Sequence, residues 1–134
     1  MAKIRLSAAS FEAGPVKGFD DFADHATRLV DQAANDNPDF LVFPELFTAE
    51  IMNSFEGGEL PEKFAQLTQY TDPYVDLFTG LAKDRGFYIV AGSHLKEAGG
   101  KFYNTSHLFT PDADGWEQRK CHLFPVETAW TTPG

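Results

Sequence analysis

Three charged residues stand where a carboxylate and a cation could act on a ligand. Glu45 follows the apolar run Phe40-Leu41-Val42-Phe43 and the rigid Pro44, so its carboxylate is expected at a fixed corner at the carboxyl end of a strand. Open parallel sheets place their ligands at that end. Lys120 lies in Gln118-Arg119-Lys120-Cys121-His122, which reads as the interior of a last strand, with Lys120 and His122 on one face and Cys121 on the other. Glu127 follows beyond Pro125. Each has an ordinary structural explanation as well: loop carboxylates are solvated, and a strand lysine guards an edge against pairing. Cys121 and His122 do not read as a thiol–imidazole pair, because strand neighbours point to opposite faces. Cys121 is expected to act as a small buried hydrophobe. His25, His94, His107 and His122 lack the close spacing of a helix-borne zinc site, although His94 and His107 could meet across adjacent strands. No metal site is expected.

The elements that must hold these residues follow from periodicity and punctuation. Ile4 to Phe11 reads as a strand bounded by Gly14-Pro15. Phe19, Phe22, Ala26, Leu29 or Val30, and Ala33 recur at helical spacing, with Asp20 and Asp21 in the positive first turn. Asn35-Asp36-Asn37-Pro38 stops that helix. The continuous run Phe40–Phe43 predicts a strand buried on both faces, completing a parallel βαβ unit. Residues 46–60 read as a loop with at most one short helix. A helix around Phe64 and Leu67 follows, then one starting at Asp72-Pro73 with Tyr74, Leu77, Phe78 and Leu81 as its buried stripe and Gly86 as its stop. Phe87–Ala91 is a third strand. Lys96–Lys101 is a turn, Phe102–Thr110 a strand, Pro111–Gly115 a turn, and Trp116–Leu123 a last strand. The expected fold is α/β: a mixed sheet, parallel βαβαβ followed by an antiparallel meander.

Composition bounds the function. Hydrophobic residues make up 43% and charged residues 23% of the 134, which excludes wholesale disorder and fits one domain or part of one. Lys and Arg number 11 against 20 Asp and Glu, a net charge of −9. That balance argues against a nucleic-acid partner and against an anionic membrane surface. No apolar stretch approaches the ~20 residues of a spanning helix, and the first residues carry no secretory pattern. A single cysteine forms no internal disulfide, in keeping with a reducing, cytoplasmic setting. The chain finishes on Thr131-Thr132-Pro133-Gly134 without a closing element, and its helices suffice for one face of the sheet, so residues 1–134 are expected to be a single, truncated domain.

Two motifs in register carry a family resemblance. Asp39-Phe40-Leu41-Val42-Phe43-Pro44-Glu45-Leu46 resembles the catalytic-glutamate motif of the nitrilase (carbon–nitrogen hydrolase) superfamily, and Arg119-Lys120-Cys121-His122-Leu123-Phe124-Pro125 resembles its catalytic-lysine motif. Gly86–His94 and Phe102-Tyr103-Asn104-Thr105 resemble the strands between them. The resemblance implies half of an α-β-β-α sandwich and a Glu-Lys-Cys triad that hydrolyses non-peptide carbon–nitrogen bonds in amides, nitriles or N-carbamoyl compounds. In it Glu45 is the general base, Lys120 the cation facing the tetrahedral intermediate, and Glu127 the second glutamate near the site. It further implies no cofactor, and a homodimer or higher homo-oligomer in the intact protein. The family's nucleophilic cysteine lies downstream of the lysine motif, so Cys121 does not match it, and these residues alone are expected to be inactive. A non-catalytic α/β interaction or regulatory module that keeps the fold is the alternative. A nucleotide-binding fold is disfavoured, because Glu12–Gly18 does not match the Gly-rich phosphate turn.

Overall fold

The computed structural model describes residues 2–134. Strand β1 (Leu6–Ala8), helix α1 (Phe19–Ala34) and strand β2 (Phe40–Val42) form the first parallel unit. A 3-10 segment (Phe47–Ser54), helix α2 (Leu60–Leu67), a 3-10 turn (Thr68–Tyr70) and helix α3 (Thr71–Arg85) lead into strand β3 (Tyr88–Ala98). Strands β4 (Lys101–Phe109) and β5 (Gly115–Arg119) complete the sheet, and a 3-10 segment (Pro125–Ala129) follows. The sheet order is β1-β2-β3-β4-β5. Pairing is parallel from β1 through β3 and antiparallel from β3 through β5, the mixed sheet expected from the pattern.

The helices pack on one face. Phe22, Ala26 and Val30 of α1, with Tyr74, Phe78 and Leu81 of α3, meet Leu41, Phe43, Ile89, Ala91, Leu95 and Phe109 in one buried cluster. Alternation then turns Val42 and Tyr88 to the opposite side, where each is 37% exposed. The expectation that β2 is buried on both faces is therefore corrected: only one layer of helices covers it, and the second face lies open. Helix α3 begins one residue before Asp72, with Tyr70 at its N-cap and no side-chain cap. Gly86 closes it in the left-handed region at φ +76°, as its position suggested.

Two differences bear on the site. Strand β3 runs on to Ala98, and the β3–β4 turn is only Gly99-Gly100, at φ +61° and +75°. Strand β5 ends at Arg119 rather than Leu123, and it is an edge of the sheet. The reason is competition for β4. The Lys120 N–H still donates to Asn104 O at 2.8 Å, but Thr132 N–H takes Phe102 O, at 2.8 Å, the acceptor that continued antiparallel pairing would have given to residue 122. Cys121 and His122 consequently lie in a bend, and Cys121 is exposed rather than buried.

Candidate active site

Glu45 is delivered by a crossing of backbones. Phe43 N–H donates to Val90 O at 2.9 Å, the last parallel bond of the β2 side. A bulge between Val90 and Ser93 in the β3–β4 register then lifts one extra residue out of the ladder. Gly92 sits there at φ +51°, and a Cβ placed on it would lie 1.9 Å from Pro44 O. Only glycine allows the chain after β2 to lean across β3 so closely. Leu46 is itself left-handed at φ 50°, an uncommon state for a side chain of its size, and its N–H donates to Ser93 Oγ at 2.9 Å.

A buried histidine anchors the next turn. His94 Nδ1 stands 3.0 Å from Thr48 Oγ1 and Nε2 stands 3.0 Å from Thr71 Oγ1. The Thr71 hydroxyl already donates to Thr68 O at 2.8 Å, so it must accept from His94. His94 is therefore the neutral tautomer with its proton on Nε2, and Nδ1 accepts from Thr48. Burial, seconded by His107 and Lys96, lowers its pKa from 6.5 to about 3. His94 and His107 do converge, His94 stacked on the Tyr74 ring and His107 set nearly perpendicular to it, but as core residues. Among the described residues no three His, Cys, Asp or Glu side chains are grouped to hold a metal ion.

Lys120 reaches Glu45 across 75 positions because β5 runs in the same direction as β2, so both residues emerge at carboxyl ends on one side of the sheet. Its Nζ donates to Glu45 Oε1 at 2.9 Å and to both oxygens of Glu127 at 2.9 Å. The Phe124 ring lies 5.0 Å from the ammonium. Glu127 is 7% exposed and accepts Phe124 N–H at 2.7 Å, which ties it to the start of its own 3-10 segment. Burial alone would raise the Glu127 pKa, yet the hydrogen bonds from Lys120 and the Phe124 N–H hold it below the usual carboxylate value. The same contacts, Glu127 first and Glu45 second, raise the Lys120 pKa. The cluster is one ammonium between two carboxylates, with Lys120 and Glu127 driven towards the charged state.

Asn104 is the residue that sequence reasoning missed. It was noticed only as part of a strand, although an asparagine inside a strand is itself a signal, since its amide fits a pleated surface poorly. It is 2% exposed and its Nδ2 donates to Glu45 Oε1 at 2.7 Å. All three expected site residues thus come together, and Asn104 joins them. Glu45, Lys120 and Asn104 border an open cleft of about 390 Å³ that also includes Val90, Ser106 and Gln118 on the uncovered face. A carboxylate there can exchange a proton and the ammonium can face a developing anion. The chain's one thiol, Cys121, is turned to Arg119 O at 3.6 Å and Gln118 Nε2 at 3.8 Å in the exposed bend.

The sequence profile described as "Carbon-nitrogen hydrolase" matches residues 7–134. A probable hydrolase of Bacillus subtilis (strain 168) is 35% identical over 127 residues, covering 95% of this chain and 25% of the relative. An omega-amidase of Xenopus laevis is 34% identical over 128 residues, covering 95% and 43%. Among solved structures, a mutant of the amidase from Nesterenkonia sp. AN1, in which acrylamide has added to the active-site cysteine, superposes with a TM-score of 0.72 at 25% identity, covering 98% of this chain and 50% of that one. The chain spans less than half the length of the two relatives and half of the solved amidase.

Proposed function

Because the chain belongs to the carbon–nitrogen hydrolase family, we propose that Glu45, Lys120 and Glu127 are the acid–base and anion-stabilising part of a site that hydrolyses small-molecule amides through a thiol nucleophile. The observation that carries this reading is the 2.9 Å contact of one lysine with two glutamates from separate segments at the carboxyl end of the sheet. Omega-amidase and amidase relatives support an amide over a nitrile or N-carbamoyl substrate. Glu45 accepts the thiol proton, the S–H electron pair stays on sulfur, and the thiolate attacks the amide carbon. The π electrons of the carbonyl move to oxygen, where the Lys120 ammonium holds the anion. When the anion collapses the C–N bond breaks, and Glu45 returns its proton to the departing nitrogen. Water then attacks the thioester, giving one proton to Glu45 and expelling the thiolate, which takes that proton back. A lost oxyanion partner costs about 3–4 kcal/mol in such a site. Glu127 keeps Lys120 charged and in place.

Cys121 does not serve as the nucleophile in this reading. The thiol comes from outside these 134 residues, and the chain by itself releases no ammonia. We further assign the working protein to the cytoplasm as a homo-oligomer. No helix among the described residues is long and apolar enough to cross a membrane.

The test is ammonia release from primary amides, nitriles and N-carbamoyl compounds by the protein at its natural length. Turnover of amides that persists in Cys121→Ser and is lost in Glu45→Gln supports the reading. Turnover abolished by Cys121→Ser with the fold intact contradicts it, as does ammonia release from the 134-residue chain above a Glu45→Ala control.

A further inference from the structure

The donor count around Glu45 is uneven. Lys120 Nζ and Asn104 Nδ2 both donate to Oε1, at 2.9 and 2.7 Å, and no hydrogen bond among the described residues reaches Oε2. Asn104 is the least of the groups that hold the Glu127 pKa down. Its main-chain carbonyl accepts Lys120 N–H at 2.8 Å. One buried residue therefore holds the Glu45 carboxylate with its side chain and the Lys120 main chain with its carbonyl. The orientation of the amide is fixed by this arrangement, because turning it over would place Oδ1 against a carboxylate oxygen. The consequence is visible on the other side: Oδ1 is buried without a hydrogen-bond partner. That orientation leaves a buried acceptor unpaired, a cost set against the bond to Glu45.

We propose that Asn104 is a positioning residue of the site, which commits Glu45 Oε1 to Lys120 and the amide and leaves Oε2 as the oxygen that accepts the proton. Two acceptor bonds on Oε1 restrain the carboxylate, and Oε2 keeps its lone pairs free. The amide supplies a neutral donor to Glu45 beside Lys120 without adding charge. The idea rests on the hydrolytic reading of the cluster.

The test uses carbon-13 carboxyl NMR of the chain as it stands, in wild type, Asn104→Ser and Asn104→Asp. Serine keeps one O–H donor, whereas aspartate keeps the shape and replaces the donors with a third anion. The Glu45 carboxyl resonance at neutral pH should move in Asn104→Ser, and further in Asn104→Asp. If Asn104→Asp fails to fold, Asn104→Ser alone decides the question. A folded Asn104→Ser protein whose Glu45 carboxyl resonance is that of wild type overturns the proposal, and so do equal displacements in the two variants. At natural length, Asn104→Ser should lower kcat while leaving KM near its wild-type value; a change confined to KM also overturns it. Turnover that survives Lys120→Met would instead remove the hydrolytic reading, with the NMR result standing on its own.

Discussion

Replacing Gly92 by alanine should dislodge Glu45 without touching a charged group. The new Cβ would stand 1.9 Å from Pro44 O, 2.8 Å from Pro44 C and 3.0 Å from Phe47 Cδ1. Real Cβ atoms essentially never come closer than 3.0 Å, so the Pro44 carbonyl must retreat by about 1 Å or the bulge must flatten. The left-handed φ of +51° adds about 1 kcal/mol for any Cβ, and overpacking against backbone adds roughly 1–3 kcal/mol. Gly99 provides the internal control. It has φ +61° and nothing within 4 Å of its virtual Cβ, so Gly99→Ala incurs only the dihedral part. In urea unfolding, Gly92→Ala should lie below Gly99→Ala by roughly 1 M in midpoint. Because Glu45 directly follows Pro44, a displacement on the order of 1 Å should also cost about 10²-fold in turnover at natural length. Equal midpoints for the two alanine variants, with NMR shifts of Lys120 and Glu127 unchanged in Gly92→Ala, would refute the crossing as the device that places Glu45.

Lys120→Met should destabilise the chain by roughly 1–2 kcal/mol at neutral pH. The Glu127 pKa is depressed, so its share is present above the ordinary 4.5 and lost as pH falls through the folded value. The Lys120 pKa is raised, so its share holds below 10.5 and is lost as pH climbs past the folded value. The wild-type advantage over Lys120→Met should therefore be a plateau between those limits and shrink at both ends, as urea midpoints across pH will test. His94 is neutral when folded, with a pKa of about 3 against 6.5. Its contribution is whole above pH 6.5 and should decline by about 1.4 kcal/mol per pH unit below it, a slope that His94→Gln should lack. On the open face, Leu6 is 69% exposed and Trp116 61%, alongside Val42 and Tyr88; the chain should self-associate at roughly micromolar concentration and above, and Val42→Lys with Tyr88→Lys should reduce light scattering. A monodisperse wild-type monomer would count against that surface argument.

Local signals made much of the scaffold legible. The stripe Phe22, Ala26 and Val30 buries one side of α1, and Gly86 ends α3, because each depends on residues close in sequence. The strand-to-Pro44 corner that presents Glu45 was readable for the same reason. What escaped depends on register between distant strands. The bulge at Gly92 exists only in the offset of β3 against β4, and the early end of β5 follows from Thr132 claiming Phe102 O. Nothing in Trp116–Leu123 itself announces either fact. The exposure of Cys121 follows from that second event, since a strand-interior position became a bend. The open face of β2 was misread from four consecutive apolar residues, which suit a layer these residues do not supply. Asn104 was overlooked because its partners lie on other segments.

The most direct trial of the central claim is ammonia release from a primary amide by the protein at its natural length, comparing wild type with Lys120→Met. The ammonium stands between Glu45 and Glu127 at 2.9 Å from each, and removing an oxyanion partner of this kind lowers kcat by about 10²–10³. The account predicts a loss of that size in a variant whose amide NMR fingerprint remains folded. Wild-type turnover in folded Lys120→Met would contradict it.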